Sequence, residues 1–350
     1  MDKVKLGVIG CGVISASHLD LANKCPMVEV VAVADLIPER AHSRAQTFGV
    51  PTVYYNDEDL LNDERIEAVV LAMPAGVRTP VAFKALERGK HVLLEKPVAS
   101  NVHEVEKMIA MRRDRVVGCC SSRMTFSGHA QTAAACVRSG VLGKIRLLRI
   151  RAVHPAGAQP NPEPPPWRES MQLNGGGILV NWSCYELDYL MHIVGWQICP
   201  KAVMAQWWPV AEKMSAYVAA GSDADAHYTA MILCNDGVAL SMERAEFSSI
   251  SADCAWEIIG TDASLHLPMH IRKGVPNSVV LDRFVPGEGI VSETLWEPGQ
   301  GDPDENVITD FVQAIQEHRE PRTNLERALV LQKITNGIYG SAASGSSVAV

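Results

Sequence analysis

The chain has 350 residues, of which 47% are hydrophobic and 21% are charged, so it carries enough apolar material for two packed domains. Its 32 Lys and Arg stand against 40 Asp and Glu, and the net charge of -8 argues against a nucleic-acid partner, because an acidic field repels phosphates. No apolar run reaches the roughly 18 to 20 residues needed to cross a bilayer, which predicts a soluble protein with no membrane partner.

The first 120 residues alternate strand-like and helical patterns. Short apolar runs predict strands at Lys5–Ile9, Val28–Ala34, Ala68–Ala72, His91–Leu94 and Val116–Cys119. Amphipathic runs between them predict helices at Ser17–Lys24, Pro38–Phe48, Val77–Arg88 and Val102–Arg112. Strict alternation indicates βαβ units, so we expect residues 1–120 to form a doubly wound, parallel-sheet Rossmann domain that binds a nucleotide.

The remaining residues 121–350 predict a second domain of the α+β class with an open, mainly antiparallel sheet. Strand-like runs recur between Lys201 and Arg283, with a turn signal at Asn235-Asp236-Gly237. The other predicted elements are a helix at Gln131–Ser139, a strand at Lys144–His154, an irregular Pro-rich connection at Pro155–Trp167, a helix after Gly175-Gly176-Gly177, and closing helices at Asp304–His318 and Leu325–Gly340. The last helix is a candidate to pack back on the first domain, and the segment after Ser341 is expected to cap or fray.

The N-terminal apolar stretch Leu6–Ser17 runs into His18 and Asp20 without a small-residue cleavage site, so we expect no signal peptide and a cytoplasmic location. The nine cysteines are an odd number and include no CxxC pair, which predicts reduced thiols and no metal site.

A glycine-rich turn follows the first strand and precedes a helical run. Gly10 permits the tight turn, Gly12 lets a pyrophosphate approach the backbone, and the helix N-terminus directs its amides and dipole at that group. The second strand ends at Asp35, whose carboxylate would bond both ribose hydroxyls and repel a 2′-phosphate. This combination favours a dinucleotide site over the alternative, which is a simple tight turn between strand and helix. The predicted cofactor is NAD in preference to NADP. The predicted cofactor contacts here are Gly10, Cys11, Gly12, Val13, Ile14 and Asp35.

Two further turns follow the predicted strands Ala68–Ala72 and His91–Leu94, at the carboxyl edge where parallel sheets bind ligands. The first contains Ala72, Met73 and Pro74, and the second contains Glu95 and Lys96. We expect these five residues to face the nicotinamide half of the cofactor.

The Ala72-Met73-Pro74 turn followed by Gly89-Lys90-His91-Val92-Leu93-Leu94-Glu95-Lys96-Pro97 resembles the Gfo/Idh/MocA family, which includes glucose-fructose oxidoreductase and inositol dehydrogenase. The resemblance covers nearly the whole chain, since the triple glycine with Asp188 and the segment from Asn306 to Arg322 also match. It implies a homodimer or homotetramer that packs through the open sheet of the second domain. It further implies sugar, polyol or cyclitol substrates, with Lys96 beside the nicotinamide and the reacting hydroxyl.

The chain departs from this family after the triple glycine, where relatives usually carry Asp and His four residues apart as an acid–base pair. Asn181 and Tyr185 occupy these positions here, on one predicted helix face. Asn181 can only exchange hydrogen bonds with a substrate hydroxyl, and Tyr185 needs a nearby cation to act as a base. Our hypothesis is a catalytic pair of Lys96 and Tyr185. The alternative is that Tyr185 only packs or binds substrate while Lys96 works alone.

Four more residues are candidate substrate contacts: Arg123, His154, Trp167 and Arg168. A Trp face suits the C–H face of a sugar ring, and Arg bonds hydroxyls or a carboxylate, although Trp167 is also suited to closing a loop over the core.

These features favour an NAD-dependent oxidoreductase that acts on a secondary alcohol of a sugar, glycoside or cyclitol. One alternative is a hydrolase or lyase that retains NAD and works through a transient keto-sugar. Another is a catalytically silent sensor of dinucleotide and sugar, since the family resemblance includes such a regulator.

Overall fold

The computed structural model describes residues 2–271 and 277–350 and divides the chain into two compact units. The first unit consists of residues 1–123 and 305–332, and the second of residues 124–304 and 333–350. The first unit ends its opening segment at residue 123, and the sequence patterns predicted a domain boundary after residue 120. Residues 305–332 belong to the first unit. The sequence patterns placed them within residues 121–350, with the last helix as a candidate to pack back on the first domain.

The first unit is built from alternating strands and helices, numbered here in chain order. They are β1 (Val4–Ile9), α1 (Val13–Lys24), β2 (Val28–Ala34), α2 (Pro38–Phe48), β3 (Thr52–Tyr54), α3 (Asp57–Asn62), β4 (Ala68–Leu71), α4 (Ala75–Glu87), β5 (His91–Leu94), α5 (Val102–Met111), β6 (Val117–Cys119) and α9 (Val307–Gln316). Helix α10 (Leu325–Ser344) begins in this unit and ends in the second.

Across the described part of the first unit, six strands form a parallel sheet in the order β3-β2-β1-β4-β5-β6. All four residues of β4 are buried, as expected for a strand covered on both faces. The Rossmann-type prediction is therefore confirmed. The patterns did not predict β3 and α3, because three half-buried residues and a single buried Leu60-Leu61 pair are too short to show a period.

The second unit contains α6 (Gly128–Arg138), β7 (Leu147–Pro155), α7 (Met171–Asn174), a π-helical turn (Leu179–Ser183), α8 (Cys184–Ile193), β8 (Pro200–Trp208), a 3₁₀ helix (Glu212–Tyr217), β9 (His227–Cys234), β10 (Ala239–Ser248), β11 (Asp253–Ile259), β12 (Ala263–Leu267), β13 (Val279–Val285), β14 (Gly289–Trp296) and β15 (Val348–Ala349). The described strands form one sheet in the order β14-β13-β12-β11-β7-β10-β9-β8-β15. Only the β7 and β10 neighbours in this sheet run parallel, which confirms the mainly antiparallel α+β prediction.

The C-terminal segment caps the sheet rather than fraying. Helix α10 runs to Ser344, and β15 then pairs with β8, with Val348 opposite Val203. Without this partner β8 would present a row of unpaired backbone groups at the sheet edge.

No helix in the described ranges is both long and apolar enough to span a membrane.

Candidate active site

The glycine-rich turn of the first unit has the geometry of an anion cradle. Gly10 has φ +93, and a Cβ there would lie 2.7 Å from the Ala72 carbonyl oxygen, so no side chain fits. A Cβ at Gly12 would meet no described atom within 4 Å, so open space lies above this residue. Helix α1 begins at the next residue, Val13, which is 91% exposed, and no described side chain caps that helix end. Its first amides are therefore available to a negatively charged group.

The Asp35 carboxylate lies at the same turn. Its Oδ2 accepts a hydrogen bond from the Cys11 amide at 2.7 Å, and its Oδ1 accepts one from the Ile37 amide at 2.9 Å. A carboxylate offers about four acceptor positions, so capacity remains for ribose hydroxyls. Burial, with a contribution from the Asp35 charge, raises the pKa of the Cys11 thiol to about 12, which keeps this side chain neutral beside the cradle.

Arg44 contacts this turn, although the sequence patterns did not single it out. From α2 it donates to the Gly12 carbonyl oxygen and to the Ser15 hydroxyl, both at 3.1 Å. Arg40, one helical turn earlier, is exposed. The sequence pattern of α2 could have predicted that one of its arginines contacts the turn. It could not have decided between Arg40 and Arg44.

The turns after β4 and β5 are joined by a second unexpected arginine. Arg78 is buried in α4 and donates to the carbonyl oxygens of Met73 and Pro97. The glycine turn also touches the first of these turns, as the Gly10 to Ala72 approach shows. The predicted cofactor residues of the first unit therefore gather at one edge of the sheet, around Gly10, Cys11, Gly12, Val13, Ile14, Asp35, Ala72, Met73, Pro74, Glu95 and Lys96.

The Glu95 carboxylate is 4% exposed and turned into the unit. Its Oε1 lies 2.8 Å from Nε2 of His18 and forms an ion pair with Arg123, and its Oε2 accepts the Lys96 amide at 3.1 Å. Burial alone would raise the pKa of Glu95, but the Arg123 charge and the His18 hydrogen bond hold it well below its usual range. Glu95 thus fixes the backbone that carries Lys96. Arg123, expected as a substrate contact, is engaged in this arrangement.

Cys120 completes a buried group with His18 and Glu95, in which one potential ligand atom from each lies within 4.8 Å of the others. Burial raises the pKa of the Cys120 thiol well above its usual range, and the Glu95 charge raises it further. These three residues form a buried polar cluster that Arg123 joins through Glu95.

In the second unit, Asn181 lies in the π-helical turn and not in a regular α-helix. Such turns often occur at functional sites. Asn181 is 2% exposed, donates through Nδ2 to the Arg168 carbonyl oxygen at 2.9 Å, and accepts from Asn174 at 3.3 Å. The structure therefore brings together two of the predicted substrate residues, Asn181 and Arg168.

The approach to this turn depends on the Asp225 carboxylate, another residue that the sequence patterns did not identify. It accepts the Gly177 amide at 2.9 Å, the Leu179 amide at 2.8 Å and the Tyr339 hydroxyl at 2.5 Å. A Cβ at Gly177 would lie 1.9 Å from the Asp225 carbonyl oxygen, which explains a glycine at this position.

Tyr185 is buried in α8, and its ring meets the edge of Trp182 with 5.8 Å between centroids. The Arg244 guanidinium lies over the Trp182 ring, 4.9 Å from its centroid, and forms a buried ion pair with Glu186. The phenol is therefore set in a packed aromatic and charged layer of the second unit.

Arg168 lies at the end of the Pro-rich connection, and its side chain contacts two glutamates, Glu169 and Glu246. It donates to Glu246 at 2.6 Å, and its Nε lies 3.3 Å from Glu169 Oε1. Burial raises the pKa of Glu169 to about 7, because the Glu246 charge adds to the burial and the Arg168 charge only partly opposes it. Trp167 and His154 are half-buried, and Nε2 of His154 lies 4.0 Å from the Cys254 sulfur.

Comparison with known proteins assigns both parts of the chain. Residues 4–120 match the model described as "Oxidoreductase family, NAD-binding Rossmann fold", and residues 130–266 match the Gfo/Idh/MocA C-terminal domain. The chain belongs to the Gfo/Idh/MocA family. The expectation drawn from the Ala72 to Pro97 motif is confirmed.

Relatives of this Gfo/Idh/MocA chain include the myo-inositol 2-dehydrogenase of Thermotoga maritima, 24% identical over 196 residues that make up 56% of each chain. The levoglucosan dehydrogenase of Pseudarthrobacter phenanthrenivorans is 26% identical over 218 residues, which are 60% of this chain and 56% of the relative. The chain thus spans about half the length of the curated relatives it matches.

Solved structures share the fold over the full length. A levoglucosan dehydrogenase in complex with NADH and L-sorbose aligns with a TM-score of 0.84 at 22% identity, over 100% of this chain and 99% of that chain. An aldose-aldose oxidoreductase from Caulobacter crescentus complexed with glycerol aligns with a TM-score of 0.80 at 21% identity, over 99% and 100%.

The Glu169 pKa leads to a prediction about the stability of this family member. Between the ordinary value of 4.5 and about 7, folded Glu169 keeps a proton that the unfolded chain releases, so the free energy of unfolding falls as the pH rises through this window. We expect Glu169→Gln to flatten this slope. The free energy of unfolding of the variant, relative to that of the wild-type protein, should then be higher at pH 8 than at pH 5 by on the order of 1 to 3 kcal/mol. Urea unfolding followed by tryptophan fluorescence at pH 5 to 8 measures it.

The matched control is Glu163→Gln, which changes an exposed glutamate in the Pro-rich connection and should keep the wild-type slope. Identical slopes for Glu169→Gln and the wild-type protein would contradict the shifted pKa.

Proposed function

We propose that the chain is an NAD-dependent oxidoreductase that transfers hydride between nicotinamide and a secondary alcohol of a sugar, glycoside or cyclitol. The observation that carries this proposal is the uncapped start of α1 under the open space at Gly12, with the Asp35 carboxylate beside it. The names of the inositol and levoglucosan dehydrogenases support a cyclic polyol as the substrate class.

The charges at the glycine turn favour NAD over NADP. Asp35 would repel a 2′-phosphate, and the nearby Arg44 is already bonded to Gly12 and Ser15. Bound NAD would supply the hydride acceptor.

The nine free thiols support a reducing, cytoplasmic location.

We propose Lys96 as the cation at the reacting hydroxyl, since Glu95 fixes its backbone at the carboxyl edge of the sheet. The hydroxyl proton passes to Tyr185 or to Lys96 itself. Asn181 serves as a positioning residue, because its amide is hydrogen-bonded to Arg168 and Asn174.

The test of this function is a screen of hexoses, glycosides and cyclitols with purified protein and either NAD or NADP, followed by absorbance of the reduced cofactor. We expect sugar-dependent NADH formation, with NAD preferred. Sugar conversion with retained cofactor and no net NADH would indicate the transient keto-sugar route. Sugar binding without any turnover would indicate a sensor.

Two substitutions separate the proton acceptors. Lys96→Met should lower kcat by about 100-fold or more, the range of general acid–base catalysis. If the phenolate is the base, Tyr185→Phe should do the same and remove the acidic limb of the pH–rate profile, the fall in rate as the pH drops below the pKa of the base. Tyr189→Phe removes another buried hydroxyl from α8 and should leave kcat near normal. A near-normal rate for Tyr185→Phe would leave Lys96 as the sole acceptor.

We further propose that the outer face of the second unit's sheet packs against a second copy, giving a dimer or tetramer. Exposed apolar side chains lie at both ends of this face, at Met204, Trp208, Met231 and Leu233 on one side and at Phe284 and Ile290 on the other. Ion pairs such as Arg149 with Glu257 occupy its middle. Apolar patches of this kind are typical of subunit interfaces.

Light scattering should therefore give a mass of two or four chains. Introducing charge with the double substitution Met231→Glu and Leu233→Glu should shift the protein toward the monomer. Ile250→Glu places a charge on another exposed apolar residue outside the strands and should leave the mass unchanged. A monomeric wild-type protein would contradict the proposal.

A further inference from the structure

A cavity of about 170 Å³ lies in the second unit beside Arg168. Its polar side is formed by Arg168 and Glu169, and its apolar walls include Pro164, Pro165, Tyr217 and Phe247. None of the residues proposed above for proton transfer or cofactor binding lines it. The cavity is therefore distinct from the residues that carry out the hydride step.

The polar side of the cavity has spare hydrogen-bonding capacity. Glu169 is 3% exposed and shares one side-chain hydrogen bond with Glu246, which leaves further hydrogen-bonding positions on its carboxyl group. Arg168 pairs with both of these carboxyl groups, and the Arg244 charge also acts on Glu246. A ligand hydroxyl could donate to Glu169 and accept from the Arg168 guanidinium, so the pair suits a neutral polyol.

The apolar side of the cavity presents aromatic faces. The rings of Tyr217 and Phe247 lie 5.5 Å apart, and the Arg168 guanidinium lies 5.9 Å from the Phe247 centroid. Phe247 has φ +54, an uncommon conformation for a bulky residue, and β10 changes register between Ala245 and Ser248. Such irregularities re-aim a side chain out of the sheet pattern and cluster at ligand sites.

Arg168 also connects this cavity to the proposed substrate residues. Its backbone oxygen accepts the Asn181 amide at 2.9 Å, while its side chain lines the cavity. A ligand whose first ring lies beside the π-helical turn that carries Asn181 would therefore need to extend by about the length of one arginine side chain to enter the cavity. A second sugar ring, linked through a glycosidic oxygen, has this reach.

We propose that the cavity is a subsite for a second sugar ring, so that the preferred substrate is a two-ring glycoside and not a free monosaccharide or cyclitol. The proposal rests on the proposed function for its first ring. The second ring packs its C–H face on Tyr217 and Phe247, and its hydroxyls bond to Glu169 and Arg168. This combination of aromatic faces with a few convergent polar groups is typical of small-molecule sites.

The experiment compares kcat/KM for D-glucose and D-galactose with kcat/KM for maltose, cellobiose and lactose. We expect at least one disaccharide to exceed its component hexose by about tenfold. Tyr217→Ala removes an aromatic wall and should reduce this ratio about tenfold, and Glu169→Gln should reduce it in the same direction. Lys213→Ala changes an exposed residue of the same 3₁₀ helix and should keep the wild-type ratio.

Calorimetric titration of the same sugars into the NADH-loaded protein separates this proposal from the proposed function. If no sugar is oxidised but a disaccharide binds and Tyr217→Ala weakens it about tenfold, the subsite stands and the dehydrogenase proposal fails. If hexoses are oxidised while no disaccharide is a better substrate or ligand than its hexose, the subsite is overturned and the dehydrogenase stands. Absence of disaccharide binding in every state also overturns the subsite.

Discussion

The buried Glu95 carboxylate is the interaction on which the proposed chemistry of the first unit depends. It joins His18 from α1, Arg123 from beyond β6 and the Lys96 amide after β5, three segments that are distant in sequence. A buried carboxylate is stable only when charges and donors surround it, so these partners lock the turn in one arrangement. The candidate catalytic lysine therefore stands on a fixed backbone.

Asp225 has the corresponding role in the second unit. It holds the Gly177 and Leu179 amides where the chain enters the π-helical turn, and Tyr339 from α10 donates to it. Asn181, which lies in this π-helical turn, donates a hydrogen bond to the Arg168 carbonyl oxygen. Each unit thus uses an internal carboxylate to position its candidate residues. The Glu169 and Glu246 pair differs, because burial raises the pKa of both carboxyl groups although Arg168 pairs with them, so Glu169 keeps a proton near neutral pH.

Much of the fold followed from sequence patterns because strands and helices of sufficient length show their periods. The buried run Ala68–Leu71 and the amphipathic Pro38–Phe48 are examples, and both were predicted with ends within a residue. Elements that depend on tertiary partners escaped prediction. Thr52–Tyr54 is a strand only because it pairs with β2, and the π-helical turn at Asn181 breaks a spacing that reads as regular α-helix in sequence.

The sequence by itself determined the types of residue available for chemistry: the glycine turn, Asp35, Lys96, and the replacement of an expected Asp and His by Asn181 and Tyr185. Only the tertiary structure decided which charges are paired. Arg44 and Arg78 resemble ordinary surface arginines in sequence, and Arg123 was predicted to contact substrate, yet they bond to Gly12, to Met73 and to Glu95. Burial and charge pairing arise between segments that meet only on folding, and the cavity beside Glu169 exists only once Phe247 and Tyr217 have been brought to it.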